Sequence, residues 1–164
     1  MVKKQIKELL SLLGFRQDGN IYAKEYDTTL HPLQVDVEKE RIYYENSGIT
    51  VNRSTTSNFS EDENLVVLEC VDRLLSKGYY ANHIELEPHW KLGHGTKGGY
   101  ADIWVRTYSD NAFDGNDDDK ISLLIIECKT SGAKFTEAWN DTLDAGAQLF
   151  SHFQQEPATK LLCL

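Results

Sequence analysis

The chain has 164 residues, 40% of them hydrophobic, and a formal net charge of −9. That length holds one packed core with an appendage and is short for two full domains. The acidic balance argues against a protein that grips nucleic acid unaided, because sequence-independent affinity comes from Lys and Arg contacts to phosphates. Neither a secretory signal nor a long apolar span is present, since charges interrupt the N-terminal MVKKQIKELLSLLGF, so a soluble cytoplasmic protein without a membrane partner is expected. Cys70, Cys128 and Cys163 are odd in number and lack CxxC spacing. A disulfide framework or zinc site is therefore not expected, and the three are read as small core residues in a reducing compartment.

In chain order, Ile6, Leu9, Leu10 and Leu13 recur at helical spacing ahead of Gly14, which predicts an amphipathic helix over 2–13. IYAKEY, LQVDVE, RIYYE and GITV, between Ile21 and Val51, are rich in aromatic and β-branched residues and predict a small antiparallel sheet. Residues 1–59 are thus read as an N-terminal α+β appendage and 60–164 as the main core. Ser60 and Glu63 have capping-box spacing before ENLVVLECVDRLLSKGYY, a predicted helix of about four turns ending near Gly78.

HIELEPHW, YADIWVRT and ISLLIIECKT read as three strands of one sheet, the last apolar enough to be buried on both faces. A final helix is expected from Phe135 to Gln155, with Phe135, Trp139, Leu143, Phe150 and Phe153 facing inward. TKLLCL then reads as a strand in which the sequence stops, which suggests a fragment of a longer protein.

The order helix, strand, strand, strand, helix, strand puts Asp102 early in one central strand and Glu127 and Lys129 near the end of the next. Glu127 and Lys129 are two residues apart, so they share a face about 6.6 Å apart, with Cys128 turned the other way. If the strands are neighbours, Asp102 reaches the same spot. Two carboxylates and an ammonium suit phosphodiester hydrolysis: hard oxygens hold Mg²⁺, and a cation orients water or offsets developing charge. By spacing alone, the simpler reading of IIECKT is a strand leaving the core with a solvated Glu and Lys at its end. It is the context of the preceding Asp102 strand and the flanking helices that strengthens the other.

GYADIWV followed by LLIIECK resembles the PD-(D/E)xK nuclease domain at the N-terminus of type I restriction enzyme R subunits. The span from ENLVVLECVDRLLSKGY through QLFSHFQQEPATKLLCL is similar to the nuclease end of single-chain restriction enzymes that carry an N6-adenine methyltransferase further on. The resemblance covers roughly residues 60 to 164. It implies an α/β fold with a restriction-endonuclease-like core, a mixed central sheet flanked by helices, and Mg²⁺-dependent (or Mn²⁺-dependent) endonucleolytic cleavage of DNA. Asp102 and Glu127 would be metal ligands, the Cys128 carbonyl a third, and Lys129 would stand at the attacking water. The first motif reads Ala-Asp where the family has Pro-Asp, a mild departure because the aspartate makes the metal contact.

The family also uses a glutamate on its first core helix. Glu63 is favoured for that role over Glu69, with the capping box as its structural alternative and Arg73 as a surface partner for Glu69. Gln148 matches a glutamine that such nucleases place beside the site or the DNA. Four residues on, where relatives have an aromatic, stands His152, a weaker candidate.

Gly93, Gly95 and Gly98 satisfy GxGxxG formally, but a strand follows where a dinucleotide site needs a helix. A flexible turn is the simpler reading, with Lys97 available to a phosphate. The run from Asp110 to Asp119 puts Ala112 and Ile121 where an EF-hand needs oxygen ligands. His89 and His94 have no cysteines beside them for zinc. Neither helicase motor motifs nor an NPPY-type methyltransferase motif occurs, so DNA recognition and any methyltransferase, specificity or motor parts must come from the rest of the restriction-modification polypeptide or its partners. The competing reading is a noncatalytic DNA-binding or docking module on the same fold. Retention of Asp102, Glu127 and Lys129 together favours the enzyme.

Overall fold

A computed structural model describes residues 3–89, 99–108, 120–145, 149, 153–154 and 156–164. The chain is mixed α/β and divides into two compact units, Met1–Asn82 and His83–Leu164. Among the described residues there are two sheets and three α-helices, and no helix is long and apolar enough to cross a membrane.

In the first unit, α1 (Lys3–Leu12) buries Ile6 and Leu10 and leaves Leu12 exposed. It stops where Gly14 takes a φ of 84°, the left-handed conformation that glycine adopts at little cost. A four-stranded antiparallel sheet follows in the order β1 (Arg16–Asp18), β2 (Ile21–Lys24), β3 (Leu33–Asp36), β4 (Arg41–Tyr43). Alternation along β3 buries Leu33 and Val35 and half-exposes Gln34, the pattern of a strand with one face on a core. The GITV segment is not the fourth strand of this sheet. Arg16–Asp18 holds that place although all three residues are exposed, because its ladder with β2 is set by the turn at Gly19 and not by burial.

Helix α2 (Glu63–Ser76) buries Leu65, Val67, Leu68, Val71, Leu74 and Leu75, each contributing about 1.5–3 kcal/mol. It ends at Lys77 and Gly78, the latter with a φ of 91°. The expected capping box does not form. The N-cap is Asp62, without a side-chain cap bond, so Glu63 stands at the first helical position, not the third, and cannot reach back to Ser60 as a box requires. Asn58 Oδ1 accepts the Ser60 N–H instead, and the Asn64 side-chain amide donates to the carbonyls of Thr55 and Asn58.

Asp72, on α2, gathers the Lys24 ammonium and the Tyr26 hydroxyl at 2.5 Å each, and Lys24 also donates to the Leu13 carbonyl. Burial, followed by the bond to Asp72, pushes the Tyr26 hydroxyl well above its ordinary pKa.

In the second unit, β6 (Ile84–Leu86), β7 (Ile103–Tyr108) and β8 (Lys120–Ile126) run antiparallel side by side, and β9 (Leu161–Cys163) joins β8 in parallel. Strand β5 (Thr50–Val51) precedes them in the chain. The three expected strands are therefore neighbours. Ile84, Leu86, Ile103, Val105, Ile125 and Ile126 are buried, whereas Ile121 at the start of β8 is exposed.

Behind the strands Trp104 Nε1 donates to Ser122 Oγ at 2.7 Å, and Ser122 and Thr159 share a hydrogen bond of 2.6 Å, tying β7, β8 and the approach to β9 together. Helix α3 (Ala133–Ala145) follows β8. Phe135 and Trp139, expected to face inward, are 38% and 47% exposed. Apolar side chains at helical spacing predict a helix face but not what covers it. Cys163 is also exposed, although only Cys128 of the three free cysteines is buried. It lies on β9, where the burial pattern is exposed, half-buried, exposed.

Candidate active site

The register of the second sheet assembles the site. Ile103 pairs with Leu86 on one side and Ile126 on the other, so the next rung carries Glu87, Asp102 and Glu127 on three adjacent strands. Main-chain bonds continue past the strand ends, from the Glu87 N–H to the Asp102 carbonyl at 3.0 Å and from the Glu127 N–H to the Cys163 carbonyl at 2.9 Å. Asp102 stands one residue before β7 and Glu127 one residue after β8, where the chain is still held in the sheet's geometry but its side chains reach the edge of the core.

At this edge Asp102 Oδ2 accepts the Cys128 main-chain N–H at 2.6 Å. The Lys129 ammonium donates to Glu127 Oε1 at 2.8 Å and to the Cys128 carbonyl at 3.0 Å. Glu127 is only 4% exposed, and the Lys129 side chain 19%. A carboxylate so removed from water is strongly disfavoured unless a cation faces it, and Lys129 supplies one. Deeper in the sheet, the Arg106 guanidinium pairs with Glu85 at 2.9 Å and lies 4.7 Å from the Trp104 ring, so that cation is committed to the scaffold.

Asp102, Glu127, Cys128 and Lys129 are thus brought together. Cys128 contributes through its main chain while its thiol is buried, as strand alternation requires. Glu63 opens α2 in the first unit. Glu69 pairs with Arg73 through two bonds of 2.6 and 3.1 Å, the surface role expected of it. Gln148 and His152 lie outside the described residues, as do Gly93, His94, Gly95, Lys97, Gly98 and the acidic run from Asp110 to Asp119. His89, which is described, packs its ring 4.6 Å from that of Tyr100.

Glu87 was not singled out from the sequence. It is 5% exposed and holds a left-handed φ of 51°, which costs a non-glycine residue about 1–2 kcal/mol. The alternation in HIELEP, with Glu85 and Glu87 two apart, signals that these two share a face, whereas the rung Glu87 shares with Asp102 follows from the pairing of β6 with β7.

Among the described residues no three His, Cys, Asp or Glu side chains gather as a metal-holding group. The set here is of another kind: two carboxylates and one main-chain carbonyl. All are hard oxygen donors, the chemistry that suits Mg²⁺ or Mn²⁺ and not zinc. Comparison of the chain with protein-family models, with curated proteins and with solved structures finds no match in any of the three.

Proposed function

We propose that the chain is a PD-(D/E)xK endonuclease domain of a restriction-modification enzyme, hydrolysing DNA phosphodiesters in the cytoplasm with Mg²⁺ or Mn²⁺. The observation that carries this reading is the meeting of Asp102, Glu127, Lys129 and the Cys128 carbonyl at one sheet edge through contacts of 2.6–3.0 Å. The strand order and the resemblance of GYADIWV and LLIIECK to type I restriction nucleases support it.

Asp102, Glu127 and the Cys128 carbonyl would hold the metal, which when bound supplies Lewis-acid polarisation of the phosphate and a more acidic water. Lys129 balances the Glu127 charge. Its flexible stem and three donors suit it to turn from that carboxylate toward an incoming water or a phosphate oxygen. The Cys128 N–H orients the Asp102 carboxylate by holding its Oδ2. With a net charge of −9, the affinity for DNA must come from partner segments richer in Lys and Arg.

The test is metal-dependent DNA cleavage by the protein together with its recognition partners, comparing wild type with Asp102→Ala and Lys129→Ala. Cleavage lost in both with DNA binding kept is the expected result. Cleavage that survives both assigns the chemistry elsewhere and leaves a docking module.

A further inference from the structure

The pairing of β6 with β7 continues past the candidate site. After the bond from the Glu87 N–H to the Asp102 carbonyl at 3.0 Å, His89 forms an antiparallel bridge with Tyr100, two residues farther along each segment. Pro88 and Ala101, between the two pairs, are buried, and Ala101 packs with Ile125 and Leu149. The extension is therefore anchored in the core of the second unit. By chain length alone, the Cα atoms of His89 and Tyr100 lie within about 7 Å of those of Glu87 and Asp102.

His89 is exposed, whereas Tyr100 is half-buried. Their ring centroids are 4.6 Å apart with the planes inclined by 38°, so Tyr100 braces the imidazole at the edge of the site while solvent still reaches it.

Strand order decides which side of the site the imidazole occupies. Strand β7, with Asp102 just before it, lies between β6 and β8. Lys129 follows β8, where it donates to Glu127 Oε1 and the Cys128 carbonyl, and His89 follows β6. Ammonium and imidazole thus leave the sheet from strands on either side of Asp102, about 10 Å apart at about 4.8 Å per strand. In phosphoryl transfer the attacking and leaving oxygens lie roughly in line through phosphorus, and one ammonium cannot stand at both ends of that line. With Lys129 at the attacking water, the leaving oxygen falls toward β6.

We propose that His89 is a further catalytic residue of the candidate site, the proton donor to the leaving oxygen. This rests on the nuclease reading. The oxygen of the attacking water bonds to phosphorus while the bond to the ester oxygen breaks, its electron pair staying on that oxygen. A proton from the His89 imidazolium converts it to an alcohol. The proton given up by the water passes to solvent, from which the imidazole is reprotonated, so one water is consumed in each cycle. Histidine suits such transfer because both of its protonation states are populated near neutral pH, and a positioned acid contributes about 10²–10⁴-fold in rate.

Two small diesters test this without calling on affinity for DNA. Thymidylyl-thymidine has a leaving alkoxide that needs a proton, and thymidine 5′-(p-nitrophenyl phosphate) has a leaving phenolate that does not. With the full chain, Mn²⁺ and millimolar ester, His89→Gln should slow the dinucleotide about 100-fold or more and the aryl ester far less. Tyr100→Phe, which keeps a ring beside the imidazole, should keep most of the dinucleotide rate. In NMR spectra of the histidine-labelled chain, Mn²⁺ should broaden the His89 ring protons, and Asp102→Asn should abolish that broadening. Because His89 is exposed, His89→Gln should melt at the wild-type temperature.

Equal losses on the two esters, or no loss on the dinucleotide, overturn the proposal. So do a wild type inert toward both esters and a His89 ring that stays sharp while Mn²⁺ is bound at Asp102. Hydrolysis and Mn²⁺ affinity that are both indifferent to Asp102→Asn defeat the nuclease reading itself. Loss of both in Asp102→Asn with full activity in His89→Gln keeps that reading and removes His89 alone.

Discussion

Asp102 Oδ2 accepts the main-chain N–H of Cys128 at 2.6 Å, so the first motif carboxylate is bonded to the backbone of the second motif. One side chain therefore joins two strands at the candidate site as well as supplying a charge. Asp102→Asn keeps an oxygen acceptor for that N–H and removes the charge, whereas Asp102→Ala removes both. Both variants should lose hydrolysis. Only the alanine should lose stability, by about 1–3 kcal/mol in urea denaturation, the cost of taking an acceptor from a buried donor. Equal stabilities would show that the bond contributes nothing to the fold.

Lys129 faces Glu127 Oε1 at 2.8 Å and the Cys128 carbonyl at 3.0 Å, two of the oxygens proposed to hold the metal. Ammonium and divalent cation compete there for the same lone pairs. Lys129→Met should therefore lower thermal stability in EDTA, because the nearly buried Glu127 loses its counter-charge. The same variant should gain more from Mn²⁺ than wild type does, by the linkage of ligand binding to folding. Calorimetry with Mn²⁺ checks the affinity directly, and weaker Mn²⁺ binding in the variant would count against a shared site.

In the first unit, Asp72 accepts from Lys24 and Tyr26 at 2.5 Å each. Asp72→Ala strands a half-buried ammonium and hydroxyl and should cost about 2–3 kcal/mol, while Tyr26→Phe should cost about 1 kcal/mol. Tyr26 has a raised pKa, so its contribution is fully present below the ordinary tyrosine value and declines as pH rises above it. The stability gap between wild type and Tyr26→Phe should accordingly narrow in alkali, as read from denaturation midpoints between neutral pH and pH about 11.

Asp36, at the end of β3, accepts the main-chain N–H groups of Lys39 and Glu38 at 2.9 and 3.0 Å. The bond from Lys39, then that from Glu38, holds its carboxyl below the ordinary value. A depressed carboxylate stabilises above its unfolded pKa, and the benefit is lost as pH falls through the folded value. Asp36→Asn should be less stable than wild type at neutral pH, with the difference shrinking below about pH 4. A pH-independent difference would assign the effect to turn geometry alone.

Element types were largely legible because they follow from local periodicity. The helix over 3–12, the helix of ENLVVLECVDRLLS and the strands of HIELEP, DIWVRT and LLIIEC all announce themselves by spacing. Less legible was anything that depends on what a face meets. The alternation and β-branched content of GITV resemble those of a strand in the first sheet, yet the exposed Arg16–Asp18 takes that place. Ser60 and Glu63 have the right spacing for a capping box, but the helix begins two residues too late for it. Phe135 and Trp139 have the spacing of a buried stripe and stand in solvent.

The candidate site divides along the same line. The sequence by itself determined that Glu127 and Lys129 share a face and that Cys128 does not, because strand alternation is a property of the backbone alone. It also determined the acidic character that makes autonomous DNA binding unfavourable. Only the tertiary structure decided that Asp102 meets them, since that depends on which strands are neighbours and in what register, and a slip of one residue would have turned its carboxylate to the other face. The register of β7 against β8 and β6 also put the unforeseen Glu87 on the same rung, for the long-range reason that pairing between strands is chosen by the burial of Ile84, Leu86, Ile103 and Ile126 together and not by any one segment.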